Sequence, residues 1–127
     1  MKKIFSLFLF LLTAIAFGNL HAEVKVEFAS TSHDFGNVKA GKGPVTAIYE
    51  FTNTGDEPLT VAGVTNGGCH CTKPQYPKKP ILPGKKGQIK VSFNPAGYSG
   101  EFKRSIKVKI NSLSPRITLT FNGAVIP

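Results

Sequence analysis

Apolar and polar residues alternate one for one along most of this chain, and beyond residue 22 no stretch sustains a 3.6-residue period. That period of two is the pattern of a half-buried strand, and it excludes a helical fold. Val24, Val26 and Phe28 alternate with Lys25 and Glu27, and Val45, Ala47, Tyr49 and Phe51 with Thr46, Ile48 and Glu50. Leu59, Val61 and Val64 form a weaker run. Ile89, Val91 and Phe93 follow, then Phe102, Ile106, Val108 and Ile110, then Ile117, Leu119 and Phe121. Each run has one apolar face for a core and one polar face for water, as antiparallel sheets with a wet side do. The candidate core is Phe35, Tyr49, Phe51, Leu59, Val61, Ile89, Val91, Phe93, Phe102, Ile106, Val108, Leu119 and Phe121.

Turn chemistry separates the runs. Asn53-Thr54-Gly55-Asp56, Pro83-Gly84, Asn94-Pro95-Ala96-Gly97 and Asn111-Ser112 fall between them. Six or seven short strands with such turns in about 100 residues predict an all-β fold. The expected architecture is an immunoglobulin-like β-sandwich of about seven antiparallel strands, with a small barrel as the alternative. Cys69 and Cys71 are too close in sequence to join two sheets, and the chain has no Trp, so it is not an antibody-type domain.

Residues 1–22 stand apart from this pattern. Lys2 and Lys3 precede an apolar run from Ile4 to Phe17, and Leu20-His21-Ala22 leads into the charged Glu23. A basic start, an apolar middle and a small residue before a polar stretch are the plan of a secretory signal peptide. The run is short of the roughly 20 residues that span a bilayer, and no Cys follows it to carry a lipid anchor. The expectation is cleavage after Ala22 and a single domain over residues 23–127. That domain would be exported to the periplasm or the extracellular space, with no membrane span after signal removal and no lipoprotein anchor.

Without Lys2 and Lys3 the chain keeps 14 basic residues against 7 acidic ones, and only Arg104 and Arg116 of the 14 are Arg. Arg is the better fork for phosphate and base edges, so an exported, Lys-rich chain is a poor reader of nucleic acid. Lysines guarding strand edges and faces explain most of this charge, and attraction to anionic envelope polymers is a further use. Lys103, Lys107 and Lys109 alternate with apolar residues and are expected as one solvated stripe.

Several strings occur in order: His33-Asp34-Phe35-Gly36-Asn37-Val38, Phe51-Thr52-Asn53-Thr54-Gly55-Asp56-Glu57-Pro58-Leu59, Cys69-His70-Cys71-Thr72, Pro80-Ile81-Leu82-Pro83-Gly84, Phe93-Asn94-Pro95, Gly100-Glu101-Phe102 and Phe121-Asn122-Gly123-Ala124-Val125. Over nearly all of residues 28–126 the chain resembles the bacterial family known as domain of unknown function 1573. More distantly it is similar to the ASH, MSP-like and PapD-like immunoglobulin-like domains. The resemblance implies an exported single sandwich and supplies no catalytic residues. Where the family typically has Cys-Gly-Cys-Thr, this chain places His70 between the cysteines.

Cys69-His70-Cys71 is the one cluster of reactive side chains. Four readings stand side by side. In an extended strand the two Cα atoms would lie about 6.6 Å apart at about 3.3 Å per residue, at the limit for a disulfide; the preceding Gly67 and Gly68 permit the bend that would close it. Two thiolates and an imidazole suit Cu(I), so Cys69, His70 and Cys71 are also candidate soft-metal ligands. Zinc normally takes four, and His33 is the one other His after residue 22. A thiol redox pair lacks the Cys-x-x-Cys spacing and helix N-terminus that tune such sites. Free thiols, or a bond to another chain, complete the set. No Gly-x-Ser-x-Gly and no phosphate loop occur. The expected function is therefore a non-catalytic interaction module of the cell envelope, without cofactor, binding a protein or a glycan. The rival is a small soft-metal-binding or thiol-redox protein built on Cys69 and Cys71.

Overall fold

The computed structural model describes residues 23–112 and 115–127; the predicted signal peptide, residues 1–22, lies outside them. Every regular element among the described residues is a strand: β1 (Val26–Phe28), β2 (Ser32–Lys39), β3 (Val45–Asn53), β4 (Val61–Val64), β5 (Thr72–Gln75), β6 (Lys86–Phe93), β7 (Gly100–Ile110) and β8 (Ile117–Ile126). They form two four-stranded sheets, ordered β1-β3-β6-β5 and β2-β8-β7-β4. The fold is a β-sandwich. Among the described residues no helix is long and apolar enough to cross a membrane.

The eight strands among the described residues agree with the expected sandwich of about seven, and one pairing departs from the antiparallel expectation: β2 runs parallel to β8, from Ser32 beside Thr120 to Lys39 beside Ile126. The first strand of the sandwich is in effect split. β1 pairs antiparallel with β3 in one sheet, and three residues later β2 joins the other sheet. A bulge between Asp34 and Asn37 breaks the alternation of β2. Gly36 turns there with φ 65°, and the Asp34 carboxylate accepts its N–H at 2.8 Å. This irregularity hid the strand in the sequence. β5 carries Lys73, Pro74 and Gln75 and no apolar alternation. Pro74 is tolerated because β5 is an edge.

The core is close to the one read from the alternation. Tyr49, Phe51, Leu59, Val61, Ile89, Val91, Phe93, Phe102, Ile106, Val108, Leu119 and Phe121 are all buried, and Val38, Ile110 and Val125 join them. Phe35 is the exception. It is half-buried at the sandwich rim, with its ring 5.7 Å from Phe121 and 6.4 Å from Phe102. Leu59 is buried but outside a strand, in a single bridge with Ile81. Phe93 of one sheet stacks on Phe102 of the other at 4.5 Å and lies 5.6 Å from Phe121. Aromatic packing between sheets thus stands where antibody domains place a disulfide and a Trp.

Among the described residues Asn53 is the one fully buried side-chain amide, and it is satisfied on both sides. Its Nδ2 donates to the carbonyls of Glu57 and Ile81 at 2.8 Å each, and its Oδ1 accepts from Gly55 N–H at 2.9 Å. It pins the turns at one end of the sandwich. The opposite end gathers residues 40–44, 65–71 and 94–99, which connect β2 to β3, β4 to β5 and β6 to β7.

Candidate functional site

Cys69 and Cys71 lie in the turn between β4 and β5, at that second end. They are bonded to each other as a disulfide, with Cα atoms 5.1 Å apart, shorter than an extended strand would give. The bend comes from Gly67 and Gly68, at φ 70° and 79°. A Cβ on Gly67 would also stand 2.6 Å from the Ser105 carbonyl oxygen on β7, so the turn needs both the left-handed conformation and the missing side chain. Asn66 closes the turn from its start: its Oδ1 accepts Gly68 N–H at 2.9 Å, and its carbonyl accepts Cys69 N–H at 3.4 Å. The buried Thr72 closes it from the other side, sharing its hydroxyl proton between the carbonyls of Asn66 and Cys69.

The two sulfurs have different surroundings. Cys69 Sγ accepts the Cys71 backbone N–H at 3.2 Å. It also lies 3.4 Å from the Tyr98 hydroxyl, which donates because a disulfide sulfur carries no proton. Cys71 has one side against the core, and it lines a groove of about 360 Å³ together with Pro44, His70, Lys73, Ser92, Asn94, Ala96 and Tyr98. His70 and Lys73 are exposed, and no carboxylate is among the lining residues. Tyr98 is held in place by its neighbours. Its ring lies 6.0 Å from buried Phe93, the Arg104 guanidinium sits 5.7 Å over it, and its N–H donates to Pro95 carbonyl at 3.0 Å.

The structure thus brings Cys69, His70 and Cys71 into one turn. His33 lies elsewhere, in β2, with its ring against Phe35 at 4.5 Å. Among the described residues no three His, Cys, Asp or Glu side chains gather into a cluster that could hold a metal. Sulfurs bonded to each other offer no thiolate to Cu(I), so that chemistry belongs to the reduced chain. Sequence reasoning missed Tyr98, Asn94 and Arg104. Tyr98 reaches Cys69 across 29 residues of chain, and it directly follows Asn94-Pro95-Ala96-Gly97, which read only as a turn.

No curated protein matches the chain. Its fold is shared with a protein of unknown function from Porphyromonas gingivalis W83, at 21% identity and a TM-score of 0.69, over 85% of this chain and 50% of that one. It is shared with the Pseudomonas aeruginosa CupB2 chaperone at 15% identity and a TM-score of 0.53, over 78% of this chain and 55% of that one. The Vibrio cholerae VesB protease contains a similar sandwich, at 13% identity and a TM-score of 0.58, over 83% of this chain and 32% of the protease. This chain therefore spans half or little more of the first two proteins and about a third of the protease. At these identities the likeness is one of fold. The sequence itself matches a family model over residues 26–125, and the chain belongs to DUF1573, a family described as proteins of unknown function.

Proposed function

We propose that this protein is an exported, non-catalytic interaction module of the cell envelope, and that it presents the Cys69–Cys71 end of the sandwich to a protein or glycan partner. The observation that carries this reading is the preorganised groove at that end. Three connecting segments meet there, and each is tied down: the β4–β5 turn by its disulfide and Thr72, the β6–β7 connection by Asn94 and Tyr98, and the β2–β3 connection by the Ala40 N–H on the Ile126 carbonyl at 3.0 Å and the Lys42 N–H on the Lys39 carbonyl at 3.2 Å. Surfaces fixed before binding lose less conformational entropy when they bind. Loops carried on a rigid sandwich are a common place for recognition. Export follows from the plan of residues 1–22, and a similar fold in the CupB2 chaperone agrees with a binding role.

The test uses the full chain expressed with residues 1–22. Intact mass of the exported protein should correspond to cleavage after Ala22. A photo-crosslinking residue at exposed Ala96, on the groove, should give a discrete adduct in the native envelope; the same residue at exposed Lys107, on the outer face of the other sheet, should not. Equal adducts from both positions, or none from Ala96, would defeat this reading.

A further inference from the structure

The two sulfurs of the disulfide are chemically unequal, and the inequality has a direction. Cys69 Sγ receives two hydrogen bonds, from the Cys71 N–H and the Tyr98 hydroxyl. Cys71, and not Cys69, lines the groove, together with the exposed Lys73 and His70. In thiol–disulfide exchange the attacked sulfur must be reachable, and the departing sulfur must carry negative charge. Donors aimed at a developing anion lower the barrier to forming it.

We propose that the Cys69–Cys71 disulfide is a site of directional thiol exchange, opened at Cys71 by an anionic, thiol-bearing partner that enters the groove. The partner's thiol first loses its proton to solvent. Its thiolate then attacks Cys71 Sγ, the Cys69–Cys71 bond breaks, and a bond forms between the partner's sulfur and Cys71. The electron pair departs on Cys69 Sγ as a thiolate, held by the Tyr98 hydroxyl and the Cys71 N–H. There is no net oxidation: one disulfide is exchanged for another. Return attack by Cys69 on Cys71 expels the partner and restores the turn. Lys73 supplies positive charge on the approach, and no carboxylate lining the groove opposes an anionic thiol. This inference stands apart from the proposed interaction module, because it holds or fails on the sulfur chemistry whether or not a macromolecular partner is captured by the groove.

The experiment exposes the native protein briefly to limiting reduced glutathione, an anionic thiol. Acid quenching, alkylation and peptide mapping then identify which cysteine carries the adduct. The expected product has glutathione on Cys71 and the alkyl group on Cys69, in at least about tenfold excess over the reverse isomer, on the reasoning that donors stabilise one leaving thiolate. The urea-unfolded chain should show no such preference. Tyr98→Phe keeps the ring and removes the donor, and should reduce the preference several-fold while circular dichroism shows the fold intact. Lys73→Gln should slow the reaction with glutathione and leave the reaction with cationic cysteamine no slower. Adduct mainly on Cys69, an even mixture, or no adduct where the unfolded chain reacts readily would overturn the proposal. An unchanged preference in Tyr98→Phe would overturn the role of Tyr98.

Discussion

The hydroxyl of Tyr49 on β3 donates to the main-chain carbonyl of Thr120 on β8 at 2.6 Å, so one hydrogen bond ties the two sheets through the core. Tyr49 is almost fully buried, at 1% exposure, and that burial raises its pKa from 10.0 to about 12. The folded chain therefore keeps this proton over a range where the unfolded chain has released it. The associated stability is complete below pH 10 and is lost as pH climbs to about 12. At about 1.4 kcal/mol per pH unit the loss is roughly 2–3 kcal/mol. Tyr49→Phe should cost about 1–3 kcal/mol at neutral pH, because the Thr120 carbonyl loses its partner. It should also lack the extra alkaline loss. Urea midpoints of both proteins against pH check this.

Phe93 is fully buried and stacks on Phe102 across the sheets. Phe93→Ala should lower stability by about 3–5 kcal/mol, a large share of the typical 5–15 kcal/mol. A denaturant titration showing less than about 1 kcal/mol would contradict its place as the bridge between layers.

Replacing both cysteines by Ser should leave a folded domain. A disulfide closing a loop of three residues is worth about 1.6 kcal/mol in the chain-entropy model, and the turn keeps Thr72 and Asn66. The expected result is a cooperative transition shifted by about that amount. A chain without a cooperative transition would make the pair essential to folding.

Gly67 and Gly68 both have positive φ, but a side chain at Gly67 would strike the Ser105 carbonyl while Gly68 faces open space. Gly68→Ala should cost about 1–2 kcal/mol, the strain of an L-residue in that region. Gly67→Ala should cost clearly more and disturb the amide resonances of Ser105. Equal costs would mean that conformation alone decides.

Lys103, Lys107 and Lys109 are exposed along β7, alternating with buried Phe102, Ile106, Val108 and Ile110. Changing all three to Gln should move stability by no more than about 0.5 kcal/mol per site. Any binding of anionic polymer that depends on them should fade between 0.1 M and 1 M salt, as the screening length falls from about 10 Å to about 3 Å.

The legible parts of this fold were those where the two faces of a strand meet different solvents. β3, β6, β7 and β8 each bury alternate side chains, so their register is written in the residue pattern. β2 and β5 are edge strands, held by main-chain pairing more than by an apolar face. A bulge at Gly36 and a proline at position 74 remove what pattern they had. The cysteine turn was visible as chemistry and as a permitted bend. The contact between Tyr98 and Cys69 was not, because it depends on two connections at one end of the sandwich closing on each other.

The parallel pairing of β2 with β8 has a mechanical consequence. The leading end of β2 and the trailing end of β8 lie at opposite ends of their shared ladder, because the strands run in the same direction. Tension between the two ends of the domain therefore slides one strand along the other and loads the ladder bonds together, where an antiparallel hairpin would open one bond at a time. A domain tethered at both ends would resist extension abruptly. In single-molecule pulling, attachment through the two termini should give a higher rupture force than attachment across the β7–β8 hairpin.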